Sequence, residues 1–120
     1  MQLQFKGTNY ELTEDDTNLV TKKFEGIKKY LGTREAPAHA YVDLGKFTEA
    51  HAHGNVWYAE CNLDVLGKHY YAKSESDTLR TAIDGMCGEL SREIRTAHKK
   101  ETSLVRKNGS RLKDFFRFGR

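Results

Sequence analysis

Polar and apolar residues alternate from Gln2 to Lys6, with Leu3 and Phe5 on one side, as in a half-buried strand. Gly7, Thr8 and Asn9 supply turn chemistry after it. From Thr13 the period lengthens. Thr13 with Asp16 three residues on forms a capping box with the shorter carboxylate, and Glu14 and Asp15 add negative charge at the positive end of a helix. Val20, Phe24, Ile27 and Leu31 give that helix one apolar face, and Gly32 stops it.

Pro37 disfavours an immediate second helix, and three strand-like segments follow. Residues 38–44 place Ala40, Val42 and Leu44 on one side; 45–55, with Gly45, Gly54 and Asn55, reads as a loop or frayed hairpin end. Residues 56–66 set Trp57, Ala59, Cys61, Leu63 and Val65 against Tyr58, Glu60, Asn62 and Asp64. Gly67-Lys68 is a tight turn into a last strand, His69 to Lys73. Ser76 or Asp77 then caps a helix whose stripe is Leu79, Ile83, Met86, Leu90, Ile94 and Ala97. The order is β-α-β-β-β-α, an α+β fold. An antiparallel four-stranded sheet with both helices on one face is the simplest way to bury two amphipathic helices.

A chain of 120 residues builds one core. It has no apolar run of membrane-spanning length and no signal-peptide core. Cys61 and Cys87 are isolated, so neither a disulfide framework nor a zinc knuckle is expected, and the default is a cytoplasmic protein with reduced thiols. Net charge is +3 but uneven: residues 1–94 carry −4 and residues 95–120 carry +7. That asymmetry points to a polyanionic partner reached through one end.

Helix geometry places the cations. At about 100° per residue, Lys22 and Lys29 lie nearly opposite the first helix's apolar stripe, with Lys23 and Lys28 on its flanks. On the second helix Arg92, Arg95 and Lys99 lie opposite the stripe centred on Leu90. If both stripes meet the sheet, these cations share one solvent side, a surface suited to phosphate contacts. Lysines outside a helix are, by themselves, an ordinary solvated face.

Four segments carry a resemblance: MQLQFKGTNYELTE, VTKKFEGIKKY, YAECNLDVLGKHYYAKSES and AIDG at 82–85. Over roughly residues 1–100 the chain resembles the ribosome hibernation promoting factors, also called ribosomal subunit interface proteins or ribosome-associated inhibitors. The resemblance implies a β-α-β-β-β-α domain similar to double-stranded-RNA-binding domains, here residues 1–101, followed by a basic, aromatic tail over 102–120. It implies binding to the RNA of the small ribosomal subunit in the groove of messenger and transfer RNA. Translation would be inhibited and idle ribosomes stabilised under stress or in stationary phase. Site residues expected from it are Lys22, Lys23, Lys28, Lys29, Arg80, Arg92, Arg95, Lys99 and Lys100 on the helices, with no metal, cofactor or small-molecule substrate and a monomeric free state. Departures are Gly26 and Glu89 where the family commonly has lysines, and Arg80 where an aromatic is usual.

The tail interleaves Arg111, Lys113, Arg117 and Arg120 with Phe115, Phe116 and Phe118. Rings among cations suit single-stranded RNA; the plainer alternative is that the phenylalanines dock on this chain or on a partner. Long family members carry a dimerisation domain for which this chain has no room. His51 and His53 form an HxH pair without a completing ligand pattern. Ser74 and Ser76 near Asp77 and Asp84 are explained by capping, so a non-enzyme is expected. Two competing classes remain: a protein-interaction regulator of transcription acting on a sigma factor, and a metal-dependent hydrolase built on the HxH pair.

Overall fold

The computed structural model describes residues 1–47 and 56–107, with side chains other than those at 34 and 100–107. The elements are β1 (Gln2–Thr8), α1 (Glu14–Leu31), a 3-10 turn (Gly32–Glu35), β2 (His39–Lys46), β3 (Trp57–Val65), β4 (Lys68–Ser76) and α2 (Leu79–Lys107). The strands form one sheet in the order β1-β2-β3-β4, giving the expected α+β architecture. His51 and His53 lie outside the described residues.

The sheet is mixed, not antiparallel throughout. β1 and β2 run parallel, from Gln2 opposite His39 to Thr8 opposite Gly45. The cause is α1, which returns the chain to the end where β1 began, so β2 must start there. β2-β3 and β3-β4 are antiparallel. β1 also outruns its expected end: Gly7 and Thr8 pair with β2, and Thr8 Oγ1 donates to Asp43 Oδ1 at 2.8 Å.

Both helix starts are capped. Thr13 Oγ1 accepts from the Asp16 amide at 3.2 Å, and Asp16 Oδ2 accepts from the Thr13 amide at 3.0 Å, completing the capping box. For α2 the cap is Thr78, whose Oγ1 accepts from the Thr81 amide at 3.2 Å, and not Ser76 or Asp77. Ser76 is unavailable because β4 runs that far, pairing it with Trp57.

The β3-β4 turn also sits one residue earlier than expected. Val65 pairs with Lys68, so the central residues are Leu66 and Gly67, both with positive φ (48° and 84°). Two left-handed residues are what a tight hairpin of the type I′ class demands. Glycine takes that conformation freely; leucine does not.

The core is a single seam. Val20, Phe24, Ile27 and Leu31 of α1, with Leu79, Ile83, Met86, Leu90 and Ile94 of α2, are buried against one sheet face. That face presents Ala40, Val42, Leu44, Ala59, Cys61, Leu63, Val65 and Ala72. Small residues let the helices sit low. At Gly85 any Cβ would collide with the Ser74 side chain, so α2 rides directly on β4. No polar or charged residue is buried among the described residues.

Leu66 is 68% exposed, so it gives back little burial energy for its left-handed backbone. Leu66→Asn is expected to raise stability by about 1 kcal/mol. A higher melting temperature checks this, and an unchanged or lower one contradicts the strain argument. Leu90→Ala, at a fully buried position, is expected to cost about 2–5 kcal/mol in denaturant titration. Full retention of stability would show that Leu90 does not carry the seam.

Candidate nucleic-acid interface

Because both apolar stripes are spent on the same sheet face, the opposite sides of α1 and α2 turn outward together. Lys22 and Lys29 of α1 are exposed, as are Arg80, Arg92, Arg95 and Lys99 of α2. Lys22, Lys29, Arg80, Arg92 and Lys99 have no ion-pair partner among the described residues. Arg80 stands in the first turn, about 28 Å along the helix from Lys99 at 1.5 Å per residue.

The flanking cations are less available. Lys23 Nζ pairs with Asp84 Oδ1 at 2.5 Å, bridging α1 to α2. Lys28 Nζ meets Glu25 Oε1 at 3.0 Å and Glu35 Oε1 at 3.6 Å. The Glu25 hydrogen bond raises the Lys28 ammonium pKa above its ordinary value against the opposing pull of desolvation, with the charges of Glu25 and Glu35 adding to the rise. Further along the same seam the Arg95 guanidinium lies 5.3 Å from the Tyr30 ring centroid, and its Nε donates to the Ser91 carbonyl at 3.3 Å. These two cross-helix contacts align the two rows of cations. The backbone at Lys100 is helical, while Arg111, Lys113, Arg117 and the three tail phenylalanines lie outside the described residues. α2 itself continues to Lys107, across the expected junction between domain and tail.

The helix-free sheet face has a different character. Asp43, Glu60, Asp64 and Glu75 sit there against Lys6 and Lys73, with Tyr41 and Tyr71 each 43% exposed. Tyr71 Oη donates to Glu60 Oε2 at 2.7 Å, and that bond pushes the phenol up to about 12. Tyr58 belongs to the same side, yet it is buried: Phe47 packs at 5.2 Å and the Tyr58 hydroxyl donates to Asp43 Oδ2 at 3.1 Å. The described residues are therefore electrostatically uneven, with exposed cations interspersed with Glu25, Asp84 and Glu89 over the helices and an acidic excess under the sheet.

Burial pushes both the Cys61 and the Cys87 thiol up to about 12, so neither presents a thiolate near neutrality. Among the described residues no group of three or more His, Cys, Asp or Glu could hold a metal, and no helix is long and apolar enough to cross a membrane. What the outward helix side can do is meet phosphates at several points in a fixed array.

The chain is also similar to known proteins. Ribosome hibernation promoting factor of Escherichia coli K12 is 30% identical over 99 residues, covering 82% of this chain and 94% of that protein. The Salmonella typhimurium protein of the same name is 32% identical over 99 residues, with the same coverage. Among solved structures, the N-terminal domain of Thermus thermophilus Protein Y superposes with a TM-score of 0.66 at 23% identity, covering 80% of this chain and 98% of that one. A ribosomal subunit interface protein from Coxiella burnetii gives 0.64 at 14% identity, over 82% and 99%. These two likenesses carry the fold. The family model described as Sigma 54 modulation protein / S30EA ribosomal protein matches residues 3–102, and the chain belongs to that family.

Proposed function

We propose that this protein is a non-enzymatic, cytoplasmic inhibitor of translation. It binds the RNA of the small ribosomal subunit, in the groove of messenger and transfer RNA, and stabilises idle ribosomes under stress or in stationary phase. The observation that carries the reading is the row of exposed cations Lys22, Lys29, Arg92 and Lys99, without ion-pair partners among the described residues and held on one side of the molecule by the shared core. Membership of the family adds the ribosome, since its curated relatives bear the name ribosome hibernation promoting factor. Phosphate contacts supply affinity and register without reading sequence, which suits a structured RNA offering shape and phosphate density.

Lys23 and Lys28 join this surface by exchanging exposed carboxylate partners for phosphate; such pairs are worth only about 0–1 kcal/mol, so the exchange costs little. In this reading residues 1–101 are the ribosome-binding domain, monomeric when free. Residues 102–120 add Arg111, Lys113 and Arg117 as further contacts, with the phenylalanines stacking on unpaired bases.

The charge-reversal variant Lys22→Glu, Lys29→Glu, Arg92→Glu and Arg95→Glu tests the reading. Binding to ribosomes by the unaltered protein is expected to weaken steeply with salt, because phosphate contacts release counterions. The variant is expected to keep its circular dichroism spectrum and lose ribosome affinity by on the order of 100-fold or more. Undiminished affinity in the folded variant overturns the helix-side interface. Sedimentation with ribosomes, as against co-purification with RNA polymerase, separates this reading from the transcription alternative.

A further inference from the structure

A large exposed side chain, taken alone, is ordinary on a protein surface. Among the described residues these are Tyr30, Tyr41, Leu66 and Tyr71. Tyr41 and Tyr71 lie on the helix-free sheet face and Leu66 in the β3-β4 turn. Tyr30, 42% exposed, is the one placed beside the outward cations of the helices. The Arg95 guanidinium engages its ring at 5.3 Å from the centroid. Arg95 pairs with no carboxylate among the described residues, and its Nε donates to the Ser91 carbonyl at 3.3 Å, which leaves the four Nη hydrogens of its fork to a ligand.

The space beside that ring is open. Lys22, Gly26 and Tyr30 follow one i, i+4, i+8 row along α1. A long helical side chain leans over the turn N-terminal to it, so the Tyr30 ring reaches back toward Gly26. Gly26 is exposed, and a Cβ built there would meet nothing within 4 Å. Glycine in a helix interior is unfavourable, and contact with Ser74 explains Gly85, whereas no neighbour in the chain explains Gly26. A lysine there, common in the family, would lay its stem along the space that glycine leaves empty. Across the helix pair Gly88 is open in the same way, between the levels of the Lys23–Asp84 and Tyr30–Arg95 contacts. A phosphate gains nothing from an aromatic face, which carries the negative end of the ring quadrupole. A nucleobase does gain, by stacking, and its phosphates then meet the cations alongside.

We propose that the space over Gly26 takes one unpaired nucleobase of RNA, stacked on the Tyr30 ring. Arg95 holds the ring from across the helix pair, and Lys22 and Lys29 meet the adjoining phosphates. The inference rests on the RNA-binding reading above and adds to it a point of contact with a base. Every base has a π-face, so the contact selects unpaired over paired bases and not one base over another. It also gives the glycine at position 26 a task, since a side chain there would compete with the base for the ring.

Fluorescence anisotropy with a short oligoadenylate and an abasic oligomer of the same length and charge tests the stack, on full-length variants whose melting curves show them folded. Tyr30→Ala is expected to weaken oligoadenylate binding about tenfold and to leave the abasic oligomer within about twofold. Tyr30→Phe keeps the ring and is expected to keep the affinity for both. Gly26→Lys adds a cation, so it is expected to tighten the abasic oligomer and yet to cut the preference for oligoadenylate about fivefold. If Tyr30 serves only to aim Arg95 at phosphate, Tyr30→Ala weakens both oligomers alike, and the proposal is overturned. A Gly26→Lys variant that binds both oligomers more tightly to the same degree overturns it too. Ribosome binding weakened by Tyr30→Ala with neither oligomer affected assigns the ring to a protein contact and also overturns it. Ribosome binding measured in the same buffers separates the two levels. A chain that binds ribosomes, with Tyr30→Ala unchanged on both oligomers, removes only the stack, whereas one that binds neither ribosomes nor oligonucleotides removes the RNA reading itself.

Discussion

Two apolar helix stripes compete for one sheet face, and their joint burial there organises everything else in the molecule. Phe24, Ile27, Met86, Leu90 and Ile94 all reach the same seam, over a face floored by Ala40, Ala59 and Ala72. Once both stripes are committed, neither helix can rotate without exposing large apolar side chains, at about 25 cal/mol for each Å² returned to water. The polar sides of the helices are thereby fixed as well. Lys22 and Lys29 face solvent on the same side as Arg92 and Lys99 because the core leaves them no other direction. The array of charges follows from packing.

The contacts across the helix pair refine that array without creating it. Lys23 with Asp84, and Arg95 over Tyr30, are exposed interactions of modest worth, yet they link α1 and α2 at two levels of the seam. The acidic excess on the opposite sheet face adds direction. A polyanion approaching the molecule is drawn to the helices and repelled from beneath, so orientation is selected during encounter as well as in the bound state.

Much of this was legible in the residues. The four, three, four spacing from Val20 to Leu31 marks α1 unambiguously, and the stripe through Leu90 marks α2 in the same way. Alternation along β3 sorts its two faces. What sequence reasoning missed depends on partners distant along the chain. The parallel pairing of β1 with β2 is a property of where α1 returns the chain, and no residue in either strand announces it. Leucine at position 66 hides a left-handed turn residue, so the turn was placed one position late. Thr78 carries the α2 cap because β4 extends to Ser76, a matter of pairing with Trp57 rather than of propensity. The outward cations follow from angle alone, and the Glu25 tie on Lys28 from its three-residue spacing, but Asp84 on Lys23 and Glu35 on Lys28 are partners that no local pattern connects to them.

The central claim is that the outward sides of α1 and α2 are the surface that meets RNA. A cryo-EM map of this protein bound to the small ribosomal subunit tests it most directly. The account predicts Lys22, Lys29, Arg92 and Lys99 within hydrogen-bonding reach of ribosomal RNA phosphates, with the sheet face bearing Asp43, Glu60, Asp64 and Glu75 turned away from the RNA. A map that seats the sheet face or the β1 edge on the RNA, with the helices turned to solvent, would contradict it.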